Sequence, residues 1–233
     1  SEDINSVVYV LQLWDFRKGI YSDCINDILK KLLSFSNLYK DVPMLSRTHG
    51  QAATPTTVGK EFMVYHERVL NQYNNIRKMN FKTKFGGAVG KLNAHVVAYP
   101  DIDWNREMDE FIKHYSYNKD FMMTRNRYTT QIDHYENYSQ LFDIVKRINT
   151  ILIDLCVDMW MYISMDYFKM RIVKGEVGSS AMPHKVNPIM FENAEGNLHL
   201  ANTLLNFLSM RLPVSRLQRD LTGSTLLRNM GTA

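Results

Sequence analysis

A run of 74 consecutive residues, from Asp101 to Lys174, contains neither glycine nor proline. These two residues are the strongest signals for turns, so their absence over such a length predicts long helices. Inside the run, apolar side chains recur at alternating steps of four and three, at Leu141, Val145, Ile148, Leu152, Leu155, Met159 and Tyr162. This spacing predicts one helix with an apolar face that packs lengthwise against other helices.

Three other segments show helical spacing of apolar residues. A second long helix is predicted from Phe191, Ala194, Leu198, Ala201, Leu205, Leu208 and Leu212. A third is predicted to begin at Thr54-Pro55, an N-cap residue followed by proline in the first turn, and to carry Val58, Phe62, Tyr65, Val69 and Ile76. The first segment places Ile4, Val8 and Leu11, then Ile25, Leu29 and Leu32, on helical faces.

Strand signals are weak, because no alternating apolar run is bounded by a hairpin turn such as Asn-Gly. We therefore predict an all-α fold: an elongated bundle of five or six helices, several of them long, with glycine and proline concentrated in the loops. A chain of 233 residues forms one large domain or two small ones.

Composition excludes several classes of protein. Hydrophobic residues at 45% and charged residues at 22% are ordinary globular values, and a net charge of +4 is too small to indicate nucleic-acid binding. The two cysteines, Cys24 and Cys156, form no metal-binding pair and suggest reduced thiols in a cytosol. The most apolar stretch, 151–163, contains two aspartates and is shorter than the ~20 residues that a bilayer requires. We therefore expect neither a membrane nor a nucleic-acid partner.

The segment Ser46 to Pro55 brings a cation, a hydroxyl, an imidazole and an amide to the predicted start of the third helix. Unpaired N–H groups and the helix dipole favour anions at such a place. An active-site interpretation, centred on His49, and a structural one, in which Thr48 and Gln51 cap the helix, are equally supported by these residues alone.

The segment Gly175 to Pro188 combines two glycines that can act as a hinge, two serine hydroxyls and the cation of Lys185. Asn187-Pro188 is predicted to cap the helix that follows. A flexible stretch that leads to a cationic helix start is suited to closing over a carboxylate. The alternative is a solvated surface loop.

The segment Arg216 to Arg228 carries cations and hydroxyls that suit a phosphate. If the chain is helical from Ser224 to Arg228, these two residues share a face, and Arg219 can approach them from the preceding turn. The alternative is that Arg219 pairs with Asp220 or with a neighbouring carboxylate on a solvated face.

The motif Gly178-Ser179-Ser180-Ala181-Met182-Pro183-His184-Lys185-Val186-Asn187-Pro188 resembles the signature GSSxMPxKxNP of the fumarase/aspartase superfamily at every specified position. Other segments resemble the adenylosuccinate lyase family within it: 46–51 with 53–61, 128–132, 218–229 and, at the start of the chain, 1–5. Ala52 is a departure, since the family usually has proline there. The resemblance covers only the central helical domain of the family, residues 1–233 here, so the family's N- and C-terminal domains and an upstream histidine are expected to be absent.

The resemblance implies an enzyme that splits adenylosuccinate into AMP and fumarate, and removes fumarate from a succinylated imidazole carboxamide nucleotide, in purine biosynthesis. It implies Ser179 as base, His49 as acid, and Lys185 with Asn187 as the groups that hold the reacting carboxylate. Ser1, Thr48 and Gln131 would bind the succinyl group, and Arg219, Ser224 and Arg228 the phosphate. It further implies a cytoplasmic homotetramer with no metal or organic cofactor.

Physical chemistry supports these roles to different degrees. An imidazole suits His49 as an acid, because that side-chain type exchanges protons near neutral pH. A serine hydroxyl is a poor base until nearby cations and helix dipoles stabilise its alkoxide, so Ser179 depends on its surroundings.

Two alternatives remain open from the sequence. A sister lyase, such as argininosuccinate lyase or fumarase, shares the signature but would not need the phosphate set. An inactive structural relative is the other, and the retention of His49, Ser179 and Lys185 counts against it.

Overall fold

The computed structural model describes residues 2–116, 121–171, 182 and 185–233. Within these residues the helices are α1 (Glu2–Phe16), α2 (Ser22–Leu38), α3 (Val58–Arg77), α4 (Asn93–Ala98), α5 (Trp104–His114), α6 (Glu136–Ser164), α7 (Ile189–Arg211) and α8 (Thr222–Leu227). A π-turn (Arg17–Tyr21) links α1 to α2, and a 3-10 turn (Met230–Thr232) follows α8. The strands are β1 (Pro43–Thr48), β2 (Gln51–Thr57), β3 (Phe81–Lys84) and β4 (Met123–Asn126).

The mostly helical architecture confirms the all-α prediction, and α6 and α7 coincide with the two predicted apolar seams. The α6 seam is buried only in its first half: Leu141 and Ile148 are fully buried, whereas Leu155 and Met159 are half-buried. The apolar spacing therefore predicted the helix but not how much of its length is covered within one chain.

The chain forms two compact units. Unit 1 comprises Ser1–Asn26, Asn74–Val145 and Leu204–Ala233, and unit 2 comprises Asp27–Tyr73 and Lys146–Thr203. The fully buried core of unit 1 includes Val10, Ile76, Phe81, Ile112, Phe121, Tyr138, Leu141 and Leu212.

A buried cation supports the core of unit 1. The Arg17 guanidinium lies 4.2 Å from the Trp14 ring centroid and 5.0 Å from that of Phe81. It donates hydrogen bonds to the carbonyls of Ile76 and Met79, at 3.1 and 2.8 Å. Ile76 lies at the end of α3 and Met79 just before β3, which pairs in parallel with β4, so Arg17 fixes the connection that leads into this small sheet.

Helices α2 and α3 approach closely in unit 2. A Cβ on Gly59 would lie 2.3 Å from the carbonyl oxygen of Ser36 and 2.6 Å from Cα of Lys40. The Gly59 amide donates to the carbonyl of Tyr39 at 2.9 Å. Only a residue without a side chain fits at this contact.

The predicted start of the third helix at Thr54-Pro55 is wrong. Both residues lie in β2, which pairs antiparallel with β1, and the helix begins at Val58. The cap is instead Thr57, whose hydroxyl accepts a hydrogen bond from the Lys60 amide at 3.3 Å. Proline is tolerated in β2 because a two-stranded hairpin leaves one edge of each strand unpaired.

The helical spacing of the first segment is confirmed by α1 and α2, and Ile25, Leu29 and Leu32 are buried. Ile4 and Val8 are exposed, and the buried residues of α1 are Ser6, Val7, Val10, Leu13 and Trp14. Apolar residues stand at helical spacing on two overlapping faces of this segment, so periodicity alone does not choose between them.

Candidate active site

Thr48 and His49 lie at the tip of the β1–β2 hairpin. Thr48 pairs with Gln51, and the two residues between them have positive φ values, +53° at His49 and +75° at Gly50. Two left-handed residues in succession are typical of a type I′ turn, whose twist matches that of the strands. The hairpin therefore presents the His49 imidazole at an exposed turn.

The hairpin is stabilised by its own side chains and by a tyrosine. The Ser46 hydroxyl donates to the Thr54 carbonyl across the strands. Arg47 donates to the Gly50 carbonyl at 3.1 Å and to the Tyr167 hydroxyl at 3.2 Å, and that hydroxyl donates to the Leu45 carbonyl at 3.1 Å. Arg47 thus supports the turn. The helix start expected next to this segment is wrong, because α3 begins at Val58 and is capped by Thr57, so Thr48 and Gln51 do not cap it.

Of the signature segment, the structure describes Met182 and everything from Lys185 onward, so Ser179 lies outside the described residues, as does Ser1. Lys185 is exposed, and Asn187 is half-buried. The predicted cap is displaced by one residue. Helix α7 begins at Ile189, and the Pro188 carbonyl accepts from the amides of Phe191 and Glu192 at 3.0 and 3.4 Å.

The predicted phosphate residues cluster around α8. Nη2 of Arg219 lies 3.5 Å from the Ser224 hydroxyl, which confirms the expected approach, and Arg228 directly follows the helix. Arg219 also forms an ion pair with Glu2, at 2.9 Å. Of the two alternatives for Arg219, the pair with Asp220 is wrong, because Asp220 pairs with Arg216 at 2.8 Å, whereas a pair with another carboxylate is found, with Glu2.

The ion pair of Glu2 and Arg219 lies beside a buried phenol. Burial raises the pKa of the Tyr135 hydroxyl above the ordinary range of tyrosine, and the negative charge of Glu2 raises it further. The positive charge of Arg219 acts in the opposite direction. Tyr135 therefore remains neutral, and Glu2 balances the arginine charge locally.

Gln131 lies next to the same segment. It is half-buried, and its backbone amide donates to the carbonyl of Gln218 at 3.2 Å. Unit 1 therefore brings Gln131 to the chain segment that carries Arg219. Its side-chain role in substrate binding stays a prediction, as do the roles of the other site residues.

The predicted residues divide between the two units. Gln131, Arg219, Ser224 and Arg228 belong to unit 1, and Thr48, His49, Lys185 and Asn187 belong to unit 2. Sequence reasoning missed Glu2 and Tyr167, which contact predicted residues or their neighbours. Neither carries a local signal, because Glu2 meets Arg219, and Tyr167 meets Arg47, only in the folded chain.

The model of a family described as "Lyase" matches residues 1–201. The chain belongs to this lyase family. An adenylosuccinate lyase of Dictyostelium discoideum is 55% identical to it over 99% of this chain and 49% of that protein. An adenylosuccinate lyase of Escherichia coli K12 is 46% identical over 99% of this chain and 49% of that protein. The chain spans about half the length of the curated relatives it matches.

The fold of this lyase family member also matches solved structures. A fumarate lyase from Mesorhizobium sp. BNC1 superposes with a TM-score of 0.72 at 17% identity, covering 98% of this chain and 48% of that one. At this identity the match supports the fold alone. Among the described residues, no helix has the length and apolar character needed to cross a bilayer. Nor does the described part of the chain group three or more metal-ligating side chains.

Proposed function

We propose that this lyase cleaves adenylosuccinate into AMP and fumarate, and the succinylated imidazole carboxamide nucleotide into its product and fumarate, in purine nucleotide biosynthesis. The proposal is supported by 46% and 55% identity to adenylosuccinate lyases over nearly the whole chain. The observation that carries it is the approach of Arg219 to Ser224 at the start of α8.

This approach suits a nucleotide phosphate. A guanidinium and a hydroxyl offer several donors to phosphate oxygens, and Arg228 adds a second cation at the end of the same short helix. Lyases of the same family whose substrates carry no phosphate have no need of such a set. The phosphate residues therefore favour a nucleotide over argininosuccinate or malate.

The proposed chemistry is a β-elimination. Ser179 removes a proton next to a carboxylate, and the carbanion is stabilised as a doubly charged aci-carboxylate held by Lys185 and Asn187. His49 protonates the leaving nitrogen as the C–N bond breaks. Ser1, Thr48 and Gln131 bind the succinyl group. The elimination thus depends on proton transfer by Ser179 and His49 and on stabilisation of negative charge by Lys185 and Asn187.

We further propose that the protein is a cytoplasmic homotetramer in which these residues are the central domain and each site takes residues from three subunits. Helix α7 supports an assembly, because large apolar side chains on it are exposed, among them Met190, Leu200, Phe207 and Met210. Apolar surface of this kind marks protein interfaces.

The proposal is tested by measuring fumarate release from adenylosuccinate, with the intact mass determined on the same sample. Argininosuccinate and malate serve as comparison substrates. Fumarate release from adenylosuccinate alone, lost in Ser179→Ala without loss of AMP binding, is the expected result. Turnover of a comparison substrate, or none of adenylosuccinate, would contradict it.

A further inference from the structure

The first turn of α1 anchors a glycine-rich loop. The Asp3 carboxylate accepts hydrogen bonds from the amides of Gly86 and Gly87, at 3.0 and 3.1 Å, and forms an ion pair with Lys84. The Lys84 ammonium also donates to the Gly87 carbonyl at 2.5 Å. Its side chain is 1% exposed and that of Asp3 13%, so this charged network is enclosed in unit 1.

The loop closes on itself beyond this anchor. The Gly90 amide donates to the Gly87 carbonyl at 3.3 Å, and the Leu92 amide donates to the Gly86 carbonyl at 2.9 Å. These bonds fix Gly90 and Leu92 relative to Gly86 and Gly87, which Asp3 holds.

Gly90 then lies directly against the segment that carries Gln131. It has a φ of +76°, and a Cβ there would lie 2.1 Å from the Thr129 carbonyl oxygen. Thr129 precedes Gln131 by two residues, and the Gln131 amide is bound to the Gln218 carbonyl. The glycine loop therefore forms the surface on which this segment rests.

We propose that Asp3 and Lys84 are positioning residues that act through the loop Gly86 to Gly90 to hold Gln131 in place for the substrate. This inference rests on the substrate-binding role assigned to Gln131 under the proposed function. An ion pair enclosed in this way costs desolvation energy, and well-packed apolar residues often replace such pairs without loss of stability. An apolar pair, however, could not accept the two glycine amides, and the loop would lose its anchor.

The contact of Gly90 with Thr129 is tested with Gly90→Ala in the full-length protein. Gly19→Ala is the control, because Gly19 also belongs to unit 1 but lies outside the loop, and a Cβ there would meet nothing within 4 Å. We expect Gly90→Ala to raise KM for adenylosuccinate by roughly tenfold or more, because Gln131 is displaced in the site, and Gly19→Ala to leave KM unchanged. A wild-type KM in Gly90→Ala, or an equal rise in both variants, would overturn the proposal.

The anchor is tested with Asp3→Asn, Lys84→Met and the double variant. Each single variant leaves a buried charge without its partner and is expected to be less stable, whereas the double variant recovers stability. KM is expected to stay raised in the double variant, because one glycine amide still lacks its acceptor. A double variant with recovered stability and a wild-type KM would show that the pair has only a structural role.

A second measurement does not depend on activity. Hydrogen exchange at Gln131 should accelerate in the Asp3 and Gly90 variants, because its bond to Gln218 weakens when the segment shifts. Arg68→Met is the control, since it removes an ion pair of unit 2, whereas the loop and Gln131 belong to unit 1, and its exchange at Gln131 should equal that of the wild type. If the wild-type protein does not turn over adenylosuccinate, the proposed function is wrong. Hydrogen exchange still tests whether Asp3 and the loop hold the segment of Gln131 in place. Unchanged exchange in Asp3→Asn and Gly90→Ala would overturn the proposal.

Discussion

The Tyr65 hydroxyl donates a 2.5 Å hydrogen bond to Oδ2 of Asp158, which joins α3 to α6 inside unit 2. One turn away, Arg68 forms an ion pair with Asp154 at 2.5 Å. The two aspartates interrupt the most apolar stretch of the sequence, and the structure shows that both are used to pair helices. We expect Tyr65→Phe to lower the free energy of unfolding by about 1.5 kcal/mol, a typical value for a hydrogen bond to a charged group.

Urea unfolding measures this change, with the exposed Tyr39→Phe as the control. The difference in unfolding free energy between the wild type and Tyr65→Phe also depends on pH. Burial, and then Asp158, raise the pKa of Tyr65 well above the usual range of tyrosine, so the folded state favours the neutral phenol. This contribution is fully present below a pH of about 10, where unfolded tyrosine begins to ionise, and decreases above it. A wild-type protein as tolerant of pH 10 to 11 as Tyr65→Phe would contradict the assignment.

Gly59→Ala is expected to destabilise unit 2 by about 1 to 3 kcal/mol, because the new methyl group would overlap the backbone of α2. Gly196→Ala is the matched control. It also lies in a helix, a Cβ there meets nothing within 4 Å, and alanine is expected to stabilise the helix by roughly 0.5 to 1 kcal/mol. Thermal unfolding of the two variants should therefore shift in opposite directions. A shift in the same direction would mean that α2 and α3 can separate at little cost.

The His49 turn allows a substitution that separates chemistry from structure. Asparagine tolerates a positive φ, so His49→Asn removes the imidazole and keeps the hairpin tip. We expect turnover to fall by on the order of 10²- to 10⁴-fold, the usual contribution of a positioned acid or base, with an unchanged melting temperature. His114→Gln, at an exposed histidine of α5, should leave kcat unaltered. Near-normal turnover in His49→Asn would assign the acid to another residue.

Arg228→Ala is expected to weaken AMP binding by about 1.5 to 3 kcal/mol, or roughly tenfold or more, because a charge-assisted hydrogen bond to the phosphate is lost. Arg216→Ala removes the same charge from the same segment, but its guanidinium is paired with Asp220. Calorimetric titration with AMP compares the two. Equal losses would indicate a general attraction of cations for the nucleotide, and no loss at Arg228 would place the phosphate elsewhere.

Asp133 is expected to limit stability at neutral pH. Burial raises its pKa, although a 2.8 Å hydrogen bond from Asn126 acts in the opposite direction. The unfolded carboxyl ionises first as pH rises above about 4, so the wild type loses stability from there until the folded carboxyl ionises. Asp133→Asn lacks this loss. The midpoint of unfolding of Asp133→Asn should gain on that of the wild type as pH rises above about 4, whereas the exposed Asp101→Asn should show no such trend.

The long helices could be predicted from the sequence because their apolar periodicity is a local property. Leu141 and Ile148 are buried as the α6 seam predicts. The hairpin could not be predicted in the same way. Its turn is His-Gly rather than Asn-Gly, and the Thr-Pro pair inside β2 is also a good helix start. The Thr-Pro pair lies in a strand and not at a helix start because its segment pairs with β1.

In the candidate site, too, local features could be predicted from the sequence and long-range contacts could not. The approach of Arg219 to Ser224 follows from their spacing and was predicted. The contacts of Asp3 with Gly86 and Gly87 join residues more than 80 positions apart, and no local pattern predicts them. Residue types were therefore identified from the sequence, whereas their partners depended on long-range packing.

The ion pair of Glu2 with Arg219 also has a consequence for biosynthesis. Its two residues are separated by more than 200 positions, and a ribosome adds about 5 to 20 residues each second. The first turn of α1 is therefore synthesised some 10 s or more before its arginine. Glu2 cannot form this ion pair during that interval. The proposed phosphate-binding region therefore cannot be completed before Arg219 has been synthesised.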